Sequence, residues 1–176
     1  MGIKRPPRLR RFDYRGKYRY FLTICTVDRR VFHESDATTS VIAQFLHLAE
    51  EYNFAVPAYC VMTNHLHALL RGCEARSDFR QFVVRFKQRT GFDWKQRTGQ
   101  TLWQEGYFDR VLREEETDLS VIAYIAANPV SAGLAASCAE YPFLGSSEYS
   151  ARELEELIRQ WQGEQAIDRW CHAVEP

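Results

Sequence analysis

The sequence predicts an α+β fold in which an antiparallel sheet carries two helices on one face. Stretches rich in β-branched and aromatic residues alternate with stretches whose apolar residues recur at helical spacing, in the order β-α-β-β-α-β. Two of the strand-like stretches are separated only by Thr63-Asn64, short enough for a hairpin. The helix-like stretches are amphipathic, each offering one apolar stripe to a sheet.

Taken in order, residues 1–16 are rich in Arg and Pro, show no periodicity and read as an extended basic arm. Lys17 to Val27, KYRYFLTICTV, is a strand by composition, with Asp28-Arg29-Arg30 as its exit. From Ser40 to Tyr52, residues Val41, Ile42, Phe45, Leu48 and Ala49 fall at helical spacing, and Asn53 can end that helix. Phe54 to Met62 is a second strand, in which Pro57 suggests an edge or a bulge. His65 to Arg71 is the third, closed by Gly72. Ser77 offers an N-cap to a helix from Asp78 to Thr90, with Phe79, Phe82, Val83 and Phe86 as its apolar stripe. Its other side carries Arg80, Arg85, Lys87 and Arg89. Thr101 to Leu112 makes a fourth strand with Gly106 at a bulge position.

Thr117 or Asp118 then caps a helix bearing Leu119, Ile122, Ala123 and Ala126, which runs into Asn128-Pro129. The chain reads as loop from Gly133 to Tyr149, and Ala151 to Trp161 gives an acidic amphipathic helix. The order of the first six elements is the split βαβ, or ferredoxin-like, arrangement, here with an appended helix and a C-terminal helix. The expected organisation is an arm over 1–16, one domain over 17–136, and a C-terminal loop and helix over 137–176 that form no second domain.

Composition narrows the function classes. No apolar run approaches the roughly 20 residues of a membrane helix, and the basic N-terminus is not followed by a secretory hydrophobic segment. The five cysteines, Cys25, Cys60, Cys73, Cys138 and Cys171, form no CxxC pair and read as reduced thiols of a cytoplasmic protein. A net charge of zero conceals segregation. Residues 1–30 hold ten Lys/Arg against two acids, residues 71–113 ten against five, and residues 114–176 three against twelve. Two basic blocks in a neutral chain suggest a polyanion-binding face.

The chemistry-bearing stretch is VMTNHLHALL, in which His65 and His67 fall on one face of a strand because successive side chains alternate. Two imidazoles are half of a metal site, and with no third His or Cys nearby a closed structural zinc site is not expected. Tyr124 and Asn128, at i and i+4, share a helical face. Each also has a purely structural use, Tyr124 as a half-buried aromatic and Asn128 as a cap before Pro129.

VMTNHLHALL, LWQEGYFDRVLR and YIAANPVSAGL, in this order and separation, resemble the single-tyrosine HUH transposases, and within them the REP-associated tyrosine transposases. The resemblance covers about Lys17 to Leu134 and the Arg-rich lead-in, and Thr63 stands where proline is expected before Asn-His. It implies that His65 and His67 are the HUH metal ligands, that Asn128 is the third ligand, and that Tyr124 is the nucleophile. It further implies a single-stranded DNA endonuclease and strand transferase that cuts beside a DNA hairpin. Such an enzyme forms a 5′-phosphotyrosine and uses Mg²⁺ or Mn²⁺ and no nucleoside triphosphate. A monomer is favoured over a dimer that exchanges the tyrosine helix, and the setting would be the bacterial cytoplasm, in association with the nucleoid. Arg8, Arg10, Arg11 and Arg15 in the arm, Arg85, Lys87 and Arg89 on the second helix, and Arg110 are the candidate DNA contacts. The alternative is a nucleic-acid binding module of the same fold without catalysis.

Overall fold

Alternation along the first strand, β1 (Arg19–Cys25), sends Tyr20, Leu22 and Ile24 to one side and Phe21 and Thr23 to the other, and nearly all of them are buried. Both faces of this sheet must therefore be covered. The computed structural model describes residues 12–29 and 35–162. Within them β2 (Phe54–Val61), β3 (His65–Gly72), β4 (Phe108–Val111) and β5 (Leu144–Gly145) complete a sheet of order β4-β1-β3-β2-β5. Every neighbouring pair is antiparallel. The first four strands stand in the ferredoxin-like order, and β5 extends the β2 edge inside a segment expected to be loop.

The Tyr20 face is covered by α1 (Ser35–Glu51) and α2 (Phe79–Thr98). Phe79 stacks on Tyr20 with ring centroids 4.1 Å apart, and Phe45 of α1 lies edge-on to Phe82 and Phe86 at 5.4 and 5.1 Å. These rings are fully buried and supply most of the large side chains of this layer.

Several boundaries differ from expectation for local reasons. α1 begins before Ser40 because Ala37 and Thr38 are already buried. Asn53, at φ 59°, ends that helix as expected. Asp78, and not Ser77, caps α2 by accepting from the Gln81 amide at 3.0 Å. The Ser77 hydroxyl instead donates to the Asn53 carbonyl at 2.7 Å. α2 continues beyond Thr90 to Thr98 and stops at Gly99, whose φ of 71° suits a residue without Cβ. The regular part of β4 is shorter than Thr101–Leu112: Trp103 still bridges Thr26, and the ladder is interrupted around Gly106, at φ 78°, before Phe108 pairs with Thr23. The register between β2 and β3 shifts between Ala55 and Ala58, so Pro57 sits at a bulge. Gly72 is required where it stands, since a Cβ there would lie 2.1 Å from the Gly16 carbonyl oxygen.

The opposite face is covered by α3 (Asp118–Ser131), which buries Val121, Ile122, Ile125 and Ala126. Thr117 is its N-cap, and the helix carries Pro129 inside its last turn instead of stopping at Asn128. Residues Cys138–Glu140 form a short 3₁₀ turn, and α4 (Ala151–Gln162) lies against α3 with Leu154 and Ile158 buried. Tyr141 anchors this segment by donating its hydroxyl to the Val61 carbonyl at 2.8 Å.

Candidate active site

The site begins with the tight turn at Thr63-Asn64, where the Met62 amide donates to the His65 carbonyl at 2.7 Å. The chain re-enters the sheet at His65, and β3 alternation sends His65 and His67 to the α3 face. Their ring centroids are 4.4 Å apart with the planes at 74°. His67 is 3% exposed and stacks on Phe21 at 5.4 Å.

Each imidazole has a polar partner at Nδ1. His65 Nδ1 is 2.7 Å from Asn64 Oδ1, and His67 Nδ1 is 2.8 Å from Thr23 Oγ1. An Nδ1–H donated to these oxygens leaves Nε2 with its lone pair, the arrangement in which histidines serve as metal ligands. Burial, and secondarily the Arg29 guanidinium, push the His65 pKa down to about 4. Burial first and His65 second hold His67 well below the usual histidine range. Both rings are thus neutral at pH 7, as ligation requires.

Tyr124 comes from α3. Its ring lies edge-on to His67 and to Phe21, with centroids 5.7 Å from each. It is half-buried, and the helix that carries it belongs to the same chain as the histidines. Asn128 follows one turn later and donates its Nδ2 to the Tyr124 carbonyl at 2.7 Å. The donor end of the amide is thereby fixed on the backbone, and Oδ1 is the atom with ligand capacity. Among the described residues no group of three or more His, Cys, Asp or Glu side chains is placed to hold a metal ion. Asn128 carries its amide oxygen on α3, one turn beyond Tyr124. Were it to join the two neutral imidazoles, the donor set would be uncharged and would suit Mn²⁺ better than Mg²⁺.

The candidate DNA contacts are dispersed. Arg8, Arg10 and Arg11 lie outside the described residues. Arg15 pairs with Asp78 at 2.8 Å. Arg85 is exposed on α2, and Arg89 pairs loosely with Glu51 at 3.7 Å, both on the side of the molecule away from Tyr124. Lys87 is not displayed to solvent as expected: its ammonium donates to the carbonyls of Gln104, at 2.7 Å, and Gly106. Arg110 faces the same side as Phe21, its cross-strand partner, and pairs with Glu116 at 2.8 Å. Sequence reasoning missed Thr23 and Asn64, which orient the imidazoles, and Phe21, which both His67 and Tyr124 touch. Asn64 could have been suspected from its place beside His65; Thr23 is 44 residues from its partner and gives no local signal.

A family profile described as "Transposase IS200 like" matches residues 15–128, a span that contains all four central residues. A Haemophilus influenzae protein named as a candidate REP-associated tyrosine transposase is 23% identical over 136 residues, covering 70% of this chain and 77% of that one. The solved structure of a REP-associated tyrosine transposase bound to a REP hairpin superposes with a TM-score of 0.69 at 20% identity. It covers 86% of this chain and 90% of the other.

Proposed function

From the premise that the chain belongs to the IS200-like transposase family, we propose that it is a divalent-metal-dependent endonuclease and strand transferase acting on single-stranded DNA beside a hairpin. The substrate class follows the relative bound to a REP hairpin, and the ten Lys/Arg against two acids over residues 1–30 suit a polyanion. In this reading Tyr124 is the nucleophile, and His65, His67 and Asn128 hold the metal. One observation carries the proposal: within a single chain, the ring of a half-buried tyrosine rests against the ring of a neutral, buried histidine whose Nδ1 is already engaged.

The Tyr124 oxygen attacks phosphorus in line, its proton passing to water, and the 3′ oxygen of the preceding nucleotide leaves and becomes a hydroxyl. The 5′ phosphate remains esterified to Tyr124. A bound Mg²⁺ or Mn²⁺ would offset charge on the non-bridging oxygens and make a phenol of ordinary pKa near 10 sufficient as nucleophile. A DNA 3′-OH reverses the step, releasing the phenol, and the retained ester energy removes any need for ATP. In this reading one chain supplies both the tyrosine and the histidines, and a monomer is favoured over a dimer that exchanges the tyrosine helix.

The test is incubation with Mn²⁺ and a hairpin oligonucleotide, followed by denaturing electrophoresis. The wild type yields a covalent protein–DNA adduct, Tyr124→Phe yields none, and His65→Ala with His67→Ala binds without cleaving. An adduct formed by Tyr124→Phe refutes the assignment of the nucleophile. Binding without any divalent-dependent adduct would leave a binding module.

A further inference from the structure

Three arginines on three adjacent strands converge on the start of the tyrosine helix. Arg19 and Arg71 are direct cross-strand partners on β1 and β3, and Arg110 of β4 stands opposite Phe21 of β1. Facing pairs share a side of the sheet, so all three point toward α3. Arg110 pairs with the Glu116 carboxylate at 2.8 Å. Arg19 donates to the Glu116 carbonyl at 2.7 Å and to the Arg113 carbonyl, and pairs with Asp118 at 2.9 Å. Arg71 reaches the other Asp118 oxygen at 3.4 Å with one nitrogen and Glu148, in the C-terminal segment, with the other. Two like charges directly opposite each other are unfavourable unless a shared counter-charge sits between them, and Asp118 is that group.

We propose that this network makes Asp118 and Arg71 positioning residues for the cleavage step, setting where α3 holds Tyr124 against His67. The inference rests on Tyr124 being the nucleophile. Tyr124 lies six residues beyond Asp118, about 9 Å along the helix axis, so the bridge grips the same rigid rod that carries the phenol. The apolar underside of α3 (Val121, Ile122, Ile125) is attracted to the sheet without directional preference and tolerates sliding or rotation. Charge-assisted hydrogen bonds are directional and fix the register. Arg71 also joins this end of the helix to the C-terminal segment, which covers α3 from outside, so three parts of the fold are locked at one guanidinium.

The deciding variant is Arg71→Lys. It keeps the charge and the aliphatic stem, but one ammonium cannot replace the planar fork that spans Asp118 and Glu148. Asp118→Asn and Asp118→Glu accompany it, with Tyr124→Phe alongside, all as full-length protein with Mn²⁺ and a hairpin oligonucleotide. Arg71→Lys and Asp118→Asn should slow single-turnover adduct formation by about 10- to 100-fold, the scale of an ångström-level misplacement. The oligonucleotide Kd should stay within about twofold, so that the loss is in kcat and not in KM. Asp118→Glu should recover most of the rate. The inference is overturned if Arg71→Lys forms adduct at the wild-type rate, or if its loss is matched by weaker binding and reversed by more oligonucleotide. An adduct from Tyr124→Phe would instead remove the underlying assignment of the nucleophile.

Discussion

Replacing Thr23 by valine tests whether His67 is held as a ligand by its partner at Nδ1. Valine keeps the β-branched outline and the strand preference of threonine, so the change replaces one hydroxyl by a methyl at a position only 7% exposed. With Nδ1 protonated, as ligation through Nε2 requires, His67 would carry a buried Nδ1–H without the 2.8 Å contact to Thr23. An unsatisfied buried donor costs about 1–3 kcal/mol. For a domain of this size that lowers Tm by roughly 2–4 °C for each kcal/mol lost. Loss of such a partner typically weakens metal affinity about 10- to 100-fold, equivalent to roughly 1.4–2.7 kcal/mol. The assay is adduct formation against Mn²⁺ concentration. The half-saturating Mn²⁺ should rise by about that factor while saturating metal restores most of the rate. An unchanged Mn²⁺ dependence together with an unchanged Tm would refute the reasoning, because the hydroxyl would then be orienting nothing.

Three further outcomes follow from the same geometry. His65 titrates near 4 folded and near 6.5 unfolded, so between those values the unfolded chain binds more protons. Its contribution is fully present above pH 6.5 and is lost as pH falls toward 4, by at most on the order of 3 kcal/mol; His67 acts in the same direction. Thermal melts from pH 7.5 to 5 should fall less steeply for His65→Gln than for the wild type, and equal slopes would contradict the burial argument. Gly72→Ala forces a Cβ against backbone oxygen at 2.1 Å and should destabilise by about 2 kcal/mol or more in urea unfolding; a wild-type midpoint would mean that the Gly16 segment moves aside freely. Lys87→Met removes the donor to Gln104 and Gly106 and should lower stability by about 1–3 kcal/mol with little change in the salt dependence of DNA binding. A slope shallower by about one would show that the ammonium leaves its carbonyls for a phosphate.

The elements legible in the sequence were those set by neighbours along the chain. Alternation alone placed His65 and His67 on one side of β3, and the i, i+4 spacing alone placed Tyr124 and Asn128 on one side of α3. The β-α-β-β-α-β order likewise yields the observed sheet order, since short connections and a hairpin permit few alternatives. Boundaries slipped where a side chain chose a distant partner over its own element, as the Ser77 hydroxyl did in bonding the Asn53 carbonyl and leaving the cap of α2 to Asp78.

What the tertiary structure decided is which of these local faces meet. That α3 covers the histidine side of the sheet depends on the pairing of Phe21 with Arg110 and of Thr23 with His67, contacts between residues far apart in sequence. The same packing turned Lys87 inward, left Arg85 and Arg89 on the side away from Tyr124, and gathered Arg19, Arg71 and Arg110 around the start of α3. A strand or helix announces its own faces through its period. It carries no mark of its partner, because that choice is made by the summed burial and ion pairing of the whole fold.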